Sequence, residues 1–215
     1  MNQLLPLFPL QIVVFPGERL PLHVFEERYR ELVQDCRDGR SAFGIPAYID
    51  GKLGFGCEVV ISKVAKEYDS GRYDILCEAT RAFSLLEMSN PMPGKLYAGG
   101  LVSYVDNMED GQDTQRERVV NLIYTLYEEI GVNYKVVPFQ EFNSFAYGHK
   151  VGFNLKEEYA LLQMASEAER LLYMERHLQR IIPIIRQVNQ TKKTIQLNGH
   201  FRNFDPLDFE EYKLS

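Results

Sequence analysis

His23 and Glu26 stand within one turn of each other, and a histidine beside a carboxylate is the kind of pair that binds metals or moves protons. Their plainer role is to fix the entry to a helix that begins just after them. Glu26, Arg28 and Arg81 make a second set, expected to form an internal ion pair tying that helix to a sheet, because arginine suits partly buried pairing. The four histidines, His23, His149, His177 and His200, show neither His-x-x-x-His nor paired-cysteine spacing, so no dedicated zinc site is expected. Asp205, Asp208, Glu210 and Glu211 lack the alternate spacing of a calcium loop and read as a solvated charge run. Gly51-Lys52 and Gly94-Lys95 lack the earlier glycine and the following hydroxyl of a phosphate-cradling loop, and no Gly-x-Ser-x-Gly elbow occurs. ATP hydrolysis through such a loop is excluded; a hydrolytic site assembled only in space stays open.

The stretch that must position these residues runs from Leu4 to Cys36. Pro6, Pro9, Pro16 and Pro21 each fix φ and remove a donor, so this apolar run is cut into short extended pieces and cannot be one helix. After Pro21 the spacing of Phe25, Tyr29, Leu32, Val33 and Cys36 predicts an amphipathic helix, with Gly39 where a left-handed cap is wanted. Further strands are expected over 41–49, 53–64, 73–86 and 96–105, joined by the turn pairs Asp50-Gly51 and Ser70-Gly71. Gly54 and Gly56 within one strand mark a bulge or a close backbone approach.

Beyond Asp113 the pattern turns helical. Thr114 with Glu117, Asn154 with Glu157, and Ser166 with Glu169 are spaced as capping boxes. Val119, Leu122, Ile123, Leu126 and Ile130 predict one buried face ending at Gly131, and the last helix is expected to reach Val188 and to bend at Pro183. Phe139, Phe142, Phe145 and Tyr147 surround a short helix and are expected to pack on the sheet. The fold class is therefore α+β: a strongly curved sheet with one early helix over 1–107, a helical subdomain over 112–193, and a tail over 194–215.

Pro6-Leu7-Phe8-Pro9-Leu10, Phe15-Pro16-Gly17, Leu20-Pro21-Leu22 and Phe25-Glu26-x-Arg28-Tyr29, in this order and spacing, resemble the opening of the N-terminal domain of Lon proteases. That domain also occurs in cereblon-type proteins and in bacterial proteins that consist of it alone. Ala79-Thr80-Arg81-Ala82-Phe83 is similar to the family's Gly-x-Arg-Phe strand, with Ala79 where glycine is usual. The likeness is specific up to Val105 and looser beyond. It implies a PUA-like β pseudo-barrel, recognition of unfolded polypeptide or a protein partner, a separate protease or chaperone as collaborator, and no cofactor. Candidate binding or structural residues are Phe8, Phe15, His23, Glu26, Arg28, Tyr29, Arg81 and Phe83, the aromatic ones lining either core or groove. RNA binding is the alternative that PUA-like sheets elsewhere suggest, and an unrecognised hydrolase is the other.

Composition bears on these alternatives. A net charge of -6 and a pI near 5.3 supply no basic field for nucleic acid or anionic lipid. Apolar residues at 45% and charged residues at 25% lie in the folded globular range. Cys36, Cys57 and Cys77 sit in apolar surroundings and are expected to be buried and reduced, which favours a cytoplasmic setting. Proline or charge breaks every apolar run before about 18 residues, so neither a membrane span nor a leader is expected.

Overall fold

The computed structural model describes residues 2–39, 41–133 and 135–201. It contains β1 (Asn2–Leu7), β2 (Arg19–Val24), α1 (Glu27–Gly39), β3 (Phe43–Ile49), β4 (Lys52–Glu67), β5 (Tyr73–Ser89), β6 (Ala98–Tyr104), α2 (Asp113–Ile130), α3 (Ser144–Tyr147), α4 (Leu155–Leu162) and α5 (Glu167–Phe201). The strands form one sheet ordered β2-β5-β4-β3-β1-β6, and an additional β5–β6 pairing closes five of them into a ring. Closure rests on β5, whose first half pairs with β2 and second half with β6 while its other edge follows β4. Register shifts at Glu58/Val59, Ile61/Lys63, Val64/Lys66 and Leu85/Glu87 supply the extra twist that a small closed sheet requires.

Local chemistry accounts for the turns. Asp50 and Gly51, at φ 51° and 78°, join β3 to β4 in the doubly left-handed turn that an Asp-Gly pair favours. Gly56 faces Pro46, and a Cβ there would lie 2.5 Å from the Pro46 Cα, in backbone that cannot move aside. Gly56→Ala is expected to cost about 1–3 kcal/mol by overpacking, read as a lower denaturant midpoint at unchanged slope.

Apolar packing divides into three clusters. α1 lays Tyr29, Leu32, Val33 and Cys36 against Phe8, Phe43, Ile45, Cys57, Val59 and Ile75 at one end of the barrel, with Phe8 stacked on Tyr29 at 3.8 Å. Leu5, Leu7, Phe83, Ala98 and Val102 fill a second cluster. The third joins α2 and α5 to Phe15, Ala47 and Ala82, so the helices dock on the barrel through the Phe15 turn. Phe8, Phe15, Tyr29 and Phe83 are all buried core residues. The three cysteines are free and buried, and burial pushes the Cys36 thiol up to about 11 and the Cys77 thiol up to about 12.

Several expectations differ from the structure. Phe25 precedes α1 and is 61% exposed, because the helix begins at Glu27. Gly39 ends α1 but is not among the glycines of positive φ. α2 is capped by a Gln112–Gln115 box rather than by Thr114 and Glu117, and its buried face includes Val120 and Tyr127 while Ile130 is exposed. Helix α5 runs through Pro183 to Phe201, past Val188; Pro183 is exposed, so water can satisfy the Gln179 carbonyl that loses its donor. The tail expectation for 202–215 lies outside the described residues. Among the described residues no helix is long and apolar enough to cross a membrane.

Candidate functional site at the barrel–helix junction

The structure separates the residues that sequence proximity grouped. His23, on β2, places Nδ1 2.6 Å from Asp74 Oδ1 across the β2–β5 ladder, and Tyr68 donates to the other Asp74 oxygen at 2.7 Å. These two hydrogen bonds hold the Asp74 carboxyl below the usual carboxylate range. Glu26 instead takes Arg28 in an exposed pair at 2.7 Å, and Arg28 lies over the Tyr29 ring at 4.5 Å. The expected Glu26–Arg28–Arg81 set does not form. Arg81 pairs with Glu58, which stands directly opposite it in the β4–β5 register. Among the described residues no group of three or more histidine, cysteine or acidic side chains could hold a metal ion.

Glu58 escaped the sequence reading, although a carboxylate within the apolar run of β4 must find partners when buried. Its side chain is 6% exposed and accepts from Thr80 Oγ1 at 2.7 Å, from Arg81 Nε and Nη2 at 3.2 and 3.1 Å, and from the Tyr104 hydroxyl in a short bond. Burial, then that bond, pushes the Tyr104 hydroxyl up to about 12. The Arg81 guanidinium lies 3.7 Å from the Tyr104 ring centroid and keeps its side chain 55% exposed. Charge pairing on one edge and stacking on one face thus fix an exposed guanidinium, which lowers the ordering cost of a contact made through its remaining nitrogen.

A second network lies behind the first. Arg170 and Glu167 on α5 are wholly buried, paired at 2.9 Å; Arg170 also reaches Ser144 Oγ at 2.9 Å, Asn107 Oδ1 at 2.6 Å and the Met164 carbonyl at 2.8 Å. The Arg170 guanidinium stands 4.1 Å from the Phe145 ring centroid. The available sequence signal was an Arg three residues after a Glu on the face of α5 that carries Leu171, Met174 and Leu178.

Two cavities meet at Pro16 and Phe145. One, of about 230 Å³, is walled by Arg81, Tyr104, Asp106, Asn107 and Met164 beside them. The other, of about 430 Å³, is walled by Glu18, Arg19, Asn143, His149 and Lys150. The Phe15-Pro16-Gly17 turn therefore forms a rib between them, with Gly17 at φ 84°. The cleft's outer wall is mixed in chemistry, and Phe15, Phe142 and Tyr147 turn inward to hold the helices, as core rather than groove.

His149 bolts the two halves together: Nε2 lies 3.2 Å from Glu18 Oε2 and Nδ1 lies 2.7 Å from Glu158 Oε1. A neutral ring could donate to only one carboxylate, so the geometry calls for the protonated form. The Glu18 hydrogen bond, with Glu158 adding to it against the opposing effect of burial, raises His149 to about 9. Because the folded value lies above the ordinary one, the stabilisation is complete below about pH 6.5 and is lost as pH rises through about 9. Thermal melts from pH 6.5 to 9.5 should show the wild type converging on His149→Gln; a constant difference across that range would contradict the ion pairing.

A closed barrel with helices docked over one turn, and a cleft at the seam, define a two-part α+β module. The same fold occurs in the crystal structure of a Lon N-terminal domain protein from Xanthomonas campestris, with TM-score 0.63 at 24% identity over 79% of this chain and 95% of that one. It occurs also in the N-terminal domain of Mycobacterium avium complex Lon protease, with TM-score 0.60 at 14% identity over 82% of this chain and 98% of that one. No curated protein sequence matches the chain. Residues 4–180 match the model of the substrate-binding domain of ATP-dependent protease La (Lon), and the chain belongs to that family.

Proposed function

We propose that this protein recognises polypeptide, holding exposed segments of unfolded chains in the cleft beside Pro16, and that it does so without catalysis. The family match over residues 4–180 carries the substrate-binding role. The cleft supports its location: two cavities share one rib, and Arg81 is held in place by Glu58 and Tyr104 before any ligand arrives. These 215 residues carry no phosphate-cradling loop, so the proposal gives them binding and no ATP-driven unfolding. The acidic balance, -6 in net charge, disfavours the RNA reading.

Titrating a fluorescently labelled, permanently unfolded polypeptide should give a saturable isotherm in the micromolar range, as expected for a small contact surface. Shortening the apolar segments should weaken it. Absence of binding across a broad peptide library would overturn the proposal, and a steep fall in affinity for single-stranded RNA with salt would favour the alternative.

A further inference from the structure

Among the described residues, β2 has a strand on one side only. It pairs with the first half of β5, and the ring closes through the second half of β5 and β6, which leaves β2 outside it with an open edge. The phase of the ladder says which backbone groups lie along that edge. The Ala79 amide donates to the Glu18 carbonyl, so Leu20, Leu22 and Val24 turn their amides and carbonyls to β5 while Arg19, Pro21 and His23 turn theirs outward. Leu76, opposite Pro21, agrees with this phase: its carbonyl points to β4 and accepts from Ser62 Oγ at 2.9 Å. Pro21 thus sits where a missing N–H takes nothing from the β5 ladder. The Arg19 and His23 amides, and the carbonyls of Arg19, Pro21 and His23, have no hydrogen-bond partner among the described residues.

Side chains leave this row open. Leu20 and Leu22 pack on the cluster under α1, and Asp74 draws the His23 imidazole back over β5 at 2.6 Å. Arg19 stands opposite Glu78 and His23 opposite Asp74, so the edge carries no excess charge that would select ligands by their own charge. Phe25, just past the strand, is exposed and stacks on the His23 ring at 6.0 Å. The edge also continues the cleft, because Gly17, Glu18 and Arg19 wall its larger cavity and β2 begins at Arg19.

Resting on the polypeptide-binding reading above, we infer that an extended segment of the bound chain adds to β2 as a further strand, hydrogen-bonded at Arg19, Pro21 and His23. Backbone pairing reads no particular sequence, which suits ligands whose shared property is an exposed, extended chain. A second copy of β2 fits less well: an antiparallel match about Pro21 sets proline against proline, with no donor at its centre.

The test uses a short fluorescent peptide of alternating apolar and polar residues, whose pattern fixes which side faces the protein, and a series with one N-methyl group at each successive position. Each methyl group removes one amide donor and leaves the side chains unchanged. Strand addition predicts losses at alternate positions, of roughly two- to tenfold where the N–H would face β2, with affinity near the parent's at the positions between. In the protein, His23→Pro removes an outward donor that β5 does not use; it should weaken the parent peptide by a similar factor and by more than His23→Ala, which keeps that donor. Circular dichroism checks the fold of both variants, and the methylation series needs only the wild type, so it decides even where the proline variant does not fold. If the parent binds and the losses do not alternate, strand addition is overturned while polypeptide binding stands. If the parent does not bind, the polypeptide reading fails and strand addition falls with it. Sedimentation of the protein alone checks the other occupant: a wild-type dimer that His23→Pro dissociates would assign the edge to a second copy and overturn the inference.

Discussion

Arg170→Ala is expected to lower stability by about 3–5 kcal/mol, the usual range for breaking a buried ion pair by removing one partner. The reason is the company Arg170 keeps. Its removal leaves Glu167, itself 0% exposed, with only Ser144 as a donor, and it strips the Met164 carbonyl and Asn107 Oδ1 of their partner. In a chain of this length the melting temperature should fall by roughly 2–4 °C per kcal/mol, so by on the order of 10 °C. Arg170→Lys should recover little, since a single ammonium cannot reproduce contacts that converge on a planar fork from several directions. Replacing Arg170 and Glu167 together by methionine and leucine removes both charges and should recover part of the loss. It cannot recover all of it, because the Met164 carbonyl stays unpaired. Chemical denaturation of the wild type and the three variants checks this ordering; an Arg170→Ala loss under 1 kcal/mol would mean the network adds nothing to stability.

The second large effect falls on Phe15. Its ring is 1% exposed, stacks on Phe145 at 5.5 Å between centroids and lies 4.8 Å from the His149 ring. Gly148 leaves the space that the ring fills, and any Cβ there would overlap it. Phe15→Ala should therefore cost about 3–5 kcal/mol through lost burial and the cavity left behind. Phe8→Ala is the instructive control, because Phe8 is also buried but packs under α1, away from the cleft. Both variants should be destabilised to a similar degree. At a temperature where each is folded, only Phe15→Ala should lose peptide affinity, since only that ring fixes the rib between the two cavities. Equal affinity in the two variants would detach the rib from binding.

The strands and turns were legible because each carried a local signal: prolines that forbid a helix, an Asp-Gly pair that demands positive φ, and alternation along β5. The capping box at Asn154 and Glu157 formed as spaced, with Asn154 Oδ1 accepting from Lys156 and Glu157 amides at 3.0 and 3.1 Å. The site was less legible because its members converge from distant positions. Glu58 meets Arg81 across a ladder whose register a one-residue shift would change, and Glu26 was favoured only because it lay near Arg28 in sequence. Arg170 gathers Asn107 and Ser144 from outside α5, which no spacing rule anticipates, whereas Glu167 stands three residues before it on the same helix. The α2 start was misplaced by two residues because Gln112 and Gln115 perform the reciprocal capping that Thr114 and Glu117 also fit by type.

Amide chemical-shift mapping during titration with an unfolded polypeptide reports where the ligand sits as well as whether it binds. Saturable shifts are expected in residues 17–19, 80–82, 104–107 and 143–150, around the two cavities that meet at Pro16. Shifts concentrated instead on the outer face of α1 or along 190–197 of α5, with the cleft unchanged, would contradict binding in the cleft.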